Sequence, residues 1–390
     1  MTDTLMHDTL YAPNGGFIPE PGGNSDIWLR KRYSSMVCCP ESGFRRPGTM
    51  YPRCICLTHN GEANGMLLAT MEWYSDKEEC FPIYKSCDGG KSWQRFSKIV
   101  DINEKGGCRF QPHLFEVPCD MGTLKEGTIL CAGNVISQDF SSTSIRLFKS
   151  EDRGKTWEYV SEILKGGRME MSYEKGAPVW EPFLLDSPDG KLYCYYSDER
   201  YKAEGYNQLL AHKVSRDGGL TWGDEKIDVA FADGSLRPGM PIVAHLPNHK
   251  FIMVYEMVNE DRIPVYFRIS ESMDDWGNPD FMGNPVISED GSYPTGTPYV
   301  MWTGHGGEEG TILVSGRGYS QVFANSRSGK GFWEKMPVMI EVDNQYDFSG
   351  YSQCMISIEE DSRILFLCPR QISDKHAMIE SAAADIYERV

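Results

Sequence analysis

One eight-residue pattern recurs along this chain and limits what it can become. Ser86-Cys-Asp-Gly-Gly-Lys-Ser-Trp93, Ser150-Glu-Asp-Arg-Gly-Lys-Thr-Trp157 and Ser215-Arg-Asp-Gly-Gly-Leu-Thr-Trp222 all read Ser-x-Asp-x-Gly-x-Ser/Thr-Trp. Two degraded copies follow, at Ser270 to Trp276 and at Ser326 to Trp333. Asp88, Asp152 and Asp217 lie 64 and 65 residues apart. Each copy ends a strand-like run, and two further apolar runs lie upstream of it. Examples are Tyr51–Leu57 and Leu67–Trp73 before the first copy, and Pro178–Leu185 and Leu192–Asp198 before the third. Tyr351–Ile358 and Ile364–Arg370 extend the series to a sixth unit. Helical periodicity is nowhere sustained. Six units of three clear strands, each with room for a fourth, predict an all-β chain and a six-bladed β-propeller in one domain spanning residues 1–390. A β-helix needs much shorter coils, and two sandwiches would not share one repeat along the whole length.

The repeat resembles the Asp-box of sialidases and related propellers. Its chemistry reads as structural. Asp and Ser side chains take up nearby N–H groups in a turn, Gly supplies a positive φ, and Trp packs between blades. Three equivalent copies of one carboxylate are more than catalysis needs, so Asp88, Asp152 and Asp217 are expected to hold turns.

Strand direction alternates in a blade. If the boxes join third and fourth strands at one face, strand-one starts and strand-two ends converge at the other. The first set is Arg53, Gln111, His113, Glu181, Arg237 and Tyr351, and the second is Glu72, Asn134, Asp198, Glu256, Arg317 and Arg370. Glu181 and Glu256 stand out as carboxylates inside apolar runs on adjacent units, which is costly unless they are paired or functional. A glycosidase needs such a pair, one as acid/base and one as nucleophile or water activator. A salt bridge to Arg237 is the structural alternative.

Val179-Trp-Glu-Pro182, Tyr195-Tyr-Ser-Asp-Glu-Arg200, Arg237-Pro-Gly-Met-Pro241, Val254-Tyr-Glu256, Thr297-Pro-Tyr-Val-Met-Trp302 and Gly306-Gly-Glu-Glu-Gly310 carry a closer resemblance. Together they resemble the exo-α-1,5-L-arabinanases of glycoside hydrolase family 93. The resemblance implies a retaining, exo-acting hydrolase of α-1,5-linked arabinofuranosyl chains, with Glu181 as nucleophile and Glu256 as acid/base. Tyr351 would orient substrate or contact the nucleophile. Arg53, Glu72, His113, Asn134, Trp180, Asp198, Arg237, Arg317 and Arg370 are the expected substrate-binding set. Trp73 and Trp302 are further funnel aromatics. Two other readings stay open. In a sialidase, Tyr351 within Gly350-Tyr-Ser352 would be the nucleophile, and Arg53, Arg317 and either Arg237 or Arg262 would hold a carboxylate, with Asp76 near the place of the acid. A non-catalytic propeller would bind a glycan in the same funnel.

Composition narrows the partners. With 39 basic and 56 acidic residues the formal charge is −17, which argues against nucleic acid and anionic membrane surfaces. It also weighs against an anionic sugar, leaving an oligosaccharide as the expected partner and the oligomeric state open. The 12 cysteines form no CxxC pair or zinc spacing, and no His pair sits at metal-ligand spacing on one strand. No catalytic metal or cofactor is expected, and the cysteines read as reduced thiols. The polar start lacks a signal-peptide pattern, so a cytoplasmic protein is the expectation. The segment 1–45 is expected to pack on the propeller or close it.

Overall fold

The computed structural model describes residues 24–41, 43–101, 106–170, 176–343 and 348–389. The part of the N-terminal segment before residue 24 lies outside them. The described residues are almost entirely antiparallel β-sheet, and their only helical pieces are the 3-10 turns Gly61–Ala63 and Lys202–Glu204. Among them no helix is long and apolar enough to cross a membrane.

Strands follow one another as meanders. Unit 1 runs through Phe44–Cys56, Leu67–Ser75, Phe81–Ser86 and Gln94–Ile99. Unit 2 has Gly106–Glu116, Ile129–Ser137, Thr143–Ser150 and Glu158–Lys165. Unit 3 has Val179–Asp186, Leu192–Asp198, Leu209–Ser215 and Lys226–Val229. Unit 4 has Arg237–Leu246, Lys250–Val258, Val265–Ser270 and the short Asn284–Pro285. Unit 5 has Tyr299–Thr303, Thr311–Ser315, Phe323–Asn325 and Glu334–Lys335. Unit 6 begins with Cys354–Ile358, Arg363–Gln371 and Ala377–Glu388. Its outermost strand comes from the other end of the chain: Ile27–Cys38 pairs antiparallel with Ala377–Glu388, from Ile27↔Glu388 to Cys38↔Ile379. A single parallel pairing, Gly48↔Ala377, links unit 6 to unit 1. First strands of successive units touch in order, and that of unit 6 touches that of unit 1. The apolar core lies between neighbouring sheets, and its largest buried cluster joins residues from units 1, 3, 4, 5 and 6.

The boxes behave as turn locks. Asp152 Oδ1 accepts the Ser150 hydroxyl and the Lys155 and Thr156 N–H groups, while Oδ2 accepts the Thr156 hydroxyl at 2.7 Å. Asp88 and Asp217 are held in the same way. Burial opposes ionisation of Asp88, yet the Ser92 hydroxyl and N–H groups outweigh it and hold the carboxyl at about 2. The box glycines sit at φ +86°, +82° and +83° in Gly90, Gly154 and Gly219. A side chain there would run into Leu365, Leu68 and Leu147 of the preceding unit.

Each box is also tied backwards by a serine. Ser97 of unit 1 donates to Gly154 O, and Ser161 of unit 2 donates to Gly219 O. Ser35 of the N-terminal strand donates to Gly90 O at 2.6 Å. The N-terminal strand therefore fills the fourth-strand position of unit 6 down to its individual contacts. Asp152→Ala is expected to cost on the order of 1–2 kcal/mol and to lower Tm by a few degrees with kcat within twofold. Loss of activity at unchanged Tm would contradict the turn-lock role.

Candidate active site

At the end of the sheets opposite the boxes lies a cavity of about 1060 Å³. Seven of the expected residues line it: Gln111, Trp180, Glu181, Arg237, Glu256, Arg317 and Tyr351. Glu181 and Glu256 come from the first strand of unit 3 and the second strand of unit 4, and both are more than nine-tenths buried.

A backbone irregularity aims the site. Each unit has one non-glycine residue with positive φ in its first strand or just before it: Tyr51, Gln111, Glu181, Met240, Thr297 and Ser352, with φ from 42° to 60°. In four units the strand register breaks at this residue. Proline follows in five of the six. Such a left-handed residue costs about 1 kcal/mol or more and turns its N–H out of the ladder. The freed groups are used. Gln111 N donates to Glu72 Oε1, and Glu181 N donates to Gln111 Oε1. Met240 N donates to Glu181 Oε2 at 2.8 Å, and Thr297 N donates to Glu256 Oε2 at 2.6 Å. Ser352 N donates to the Thr297 hydroxyl. Each site carboxylate is thus gripped by the main chain of the next unit.

Glu181 Oε2 also accepts the Ser197 hydroxyl at 2.5 Å. Oε1 of both glutamates has no hydrogen-bond partner among the described residues. Burial, with the Glu256 charge second, pushes Glu181 up to about 7, against the pull of Ser197, Arg237 and Met240 N. Burial likewise raises Glu256, against Thr297 N, Arg237 and Arg317. Burial therefore favours the protonated form of both carboxyls, and the Glu256 charge further opposes ionisation of Glu181. Two donors on Glu181 against one on Glu256 favour the charge on Glu181.

Arg237 does not neutralise either glutamate by direct pairing. Its Nη2 binds Glu199 Oε1 at 2.8 Å, and the same oxygen accepts Trp180 Nε1 at 3.0 Å. Glu199 also holds Lys202, so it anchors one wall of the cavity.

The other six expected residues do not line the cavity, and local partners explain why. Arg53 is buried, donates to Pro52 O and to both oxygens of Ser352, and stacks on Tyr51 at 3.9 Å. Glu72 is pushed up to about 7 by burial and accepts the Tyr74 hydroxyl and Gln111 N. His113 accepts Leu184 N on Nδ1 and packs on Phe183, and burial holds it well below its ordinary range. Asn134 donates to Val179 O. Asp198 is paired with Arg200, and Arg370 with Glu380 at the surface. Trp73 and Trp302 lie outside the cavity as well. Trp73 packs against Phe44, and Trp302 donates to Glu309 O.

Of the arginines a sialidase would use, Arg237, Arg262 and Arg317 line the cavity with Tyr351, and Arg53 does not. Arg53 is committed to Ser352 and Arg237 to Glu199, while Arg317 stacks over Tyr351 at 5.8 Å. Burial and three nearby carboxylates push the Tyr351 phenol well above its ordinary value, opposite to what a phenolate nucleophile needs. Asp76 pairs with Arg45 on the surface.

Glu199, Ser197, Met240 and Thr297 were not expected from the sequence. The last two act through the main chain, but the x-Pro that recurs at five of the six first strands marks their places: Tyr51-Pro, Gln111-Pro, Glu181-Pro, Met240-Pro and Thr297-Pro. Among the described residues no group of three or more His, Cys, Asp or Glu is placed to hold a metal ion. All twelve cysteines are unpaired thiols.

Solved structures share the fold. The chain is similar to the α-L-arabinofuranosidase of Fusarium graminearum in complex with an iminosugar inhibitor. Identity is 33% over 91% of this chain and 98% of that one, with a TM-score of 0.81. It is similar to the Penicillium chrysogenum α-L-arabinanase complexed with arabinobiose, at 35% identity over 91% and 98% and a TM-score of 0.80. A Hadza microbial sialidase shares the fold at 13% identity, over 89% of this chain and 66% of that one, with a TM-score of 0.55. No protein-family model and no curated protein matches the sequence. Fold and neighbours define a glycoside hydrolase. Within that class the chain belongs to glycoside hydrolase family 93.

Proposed function

We propose that this protein is a retaining, exo-acting hydrolase of α-1,5-linked L-arabinofuranosyl oligosaccharides and arabinan. We read it as one six-bladed propeller domain, closed by Ile27–Cys38 on the last blade. The observation that carries the enzymatic reading is the pair of buried glutamates in one cavity. Each has one oxygen fixed by a main-chain N–H and the other without a partner among the described residues. The two similar fungal structures, named for arabinofuranosidase and arabinanase activity, support the choice of sugar.

In this mechanism the Glu181 carboxylate attacks the anomeric carbon while Glu256 gives its proton to the departing glycosidic oxygen. A glycosyl ester forms on Glu181 and the C–O bond to the leaving sugar breaks. Glu256, now ionised, takes a proton from water, whose oxygen displaces Glu181 and restores both residues. Fixing Glu181 Oε2 with Ser197 and Met240 N leaves Oε1 to form the ester. Arg237, held by Glu199, keeps positive charge near both carboxylates. Tyr351 lies beside Glu72, Glu181 and Glu256 and is suited to orient substrate through its neutral hydroxyl.

The test is product analysis on end-labelled linear arabino-oligosaccharides beside a sialyl substrate. The expected result is stepwise release of a short arabinoside from the non-reducing end, with the anomeric configuration retained and the sialoside untouched. Cleavage of the sialoside alone would replace this reading with the sialidase one.

A further inference from the structure

The two ends of the cavity differ in kind. Around Glu181 the polar groups are spent on one another: Ser197 on Glu181, and Trp180 and Arg237 on Glu199. Along the wall built by units 4 and 5 stand Arg262, Tyr293, Tyr319 and Gln321. Among the described residues none of these four side chains has a hydrogen-bond or ion-pair partner. Arg262 is exposed at the rim of the cavity, and Tyr293, Tyr319 and Gln321 are half-buried. Tyr293 is within electrostatic range of both Arg262 and Tyr319.

The backbone beneath them is strained and pinned. Arg262 and Ile263 both have positive φ, at 59° and 51°, and the second is β-branched, for which that region is a clear outlier. Gly296 N donates to Ile263 O at 2.8 Å, and Met257 N donates to Pro264 O at 3.0 Å. The residue after Gly296 is Thr297, whose N–H holds Glu256. Two consecutive residues therefore fix both the Arg262 turn and the Glu256 carboxylate.

We propose that Arg262, Tyr293 and Tyr319 form the subsite for the leaving-group sugar of the substrate chain. This rests on the hydrolase reading above. The acid that protonates the departing oxygen stands between the two sugars, so the leaving sugar lies on the Glu256 side, away from Glu181. Tyrosine rings offer faces for the apolar side of a sugar ring, and the Arg262 guanidinium offers donors to its hydroxyls.

The test compares two substrates with one glycone: arabinobiosyl fluoride, whose leaving group is too small to reach the subsite, and α-1,5-arabinotetraose. Arg262→Ala and Tyr293→Ala are compared with wild type, with Tm as a folding control. The expected result is a fall in kcat/KM on the tetraose that exceeds any fall on the fluoride by about 10-fold or more, mainly through KM. Equal losses on both substrates, or no loss on either, would overturn the subsite and leave the hydrolase reading standing. Wild-type protein inert toward both would overturn that reading and the subsite with it.

Discussion

Glu181→Gln and Glu256→Gln should each lower kcat on an arabino-oligosaccharide by roughly 10³- to 10⁵-fold, and the residual activities should separate the two roles. Without its nucleophile, Glu181→Gln stays inactive on every arabinoside. Glu256→Gln recovers activity on substrates with a good leaving group, and azide then captures the glycosyl ester. The reverse pattern would exchange the two assignments. Wild-type turnover in either variant would remove that residue from the chemistry.

A pH effect accompanies the kinetic one. The Glu256 charge helps push Glu181 up to about 7. Glu256→Gln therefore moves the acidic limb of the residual, azide-supported rate to lower pH. Stability moves in the opposite sense to activity. A carboxyl whose folded pKa is raised binds more protons folded than unfolded, so its contribution is fully present below about 4.5 and is lost as pH rises through about 7. At pH 8 Glu181→Gln escapes that loss, and its Tm should rise by an amount corresponding to on the order of 2–3 kcal/mol. A variant that melts below wild type at pH 8 would contradict the burial argument.

Deleting residues 1–38 should abolish cooperative folding. The strand Ile27–Cys38 covers Ala377–Glu388 along its length and buries Ile27, Leu29, Val37 and Cys38. At about 1.5–3 kcal/mol for each buried apolar side chain, those four are worth roughly 6–12 kcal/mol. That is comparable to the whole stability of a typical domain. Tyr33 and Ser35 are lost as well, and with them the bonds to Gly89 O and Gly90 O that tie the first box to unit 6. The deleted chain is expected to aggregate or to lack a sharp melt. A cooperative transition within about 5 °C of the full chain would show that Ile27–Cys38 is dispensable.

Much of the architecture was legible because the boxes repeat at fixed spacing and end each third strand. The sixth unit was the hardest to read. Its third strand carries Ala382, Ala383 and Ala384, which give little strand signal, and no box follows it. Its fourth strand lies about 350 residues away, and such a pairing leaves no local pattern. In the site, Glu181 and Glu256 stood out as charges within apolar strands. Glu72 and Asp198 gave the same signal, but Tyr74 and Arg200, two residues further on, absorb them. Periodicity and burial propensity do not separate a carboxylate satisfied by a near neighbour from one left for a ligand.

The left-handed residues that precede the prolines have a consequence for how this enzyme tolerates change. Met240 and Thr297 serve the two glutamates through N–H groups that every residue except proline possesses. Replacing Met240 with another apolar residue that fits its buried site should be nearly silent in an activity assay. Shifting its backbone should be as damaging as losing a carboxylate. A side-chain scan would therefore record Glu181 as indispensable and Met240 as ordinary, although they occupy the same place in successive repeats. Part of the working machinery is held in conformation rather than in residue identity. Backbone-altering changes at Pro241 and Pro298, rather than substitutions at their neighbours, are what would expose it.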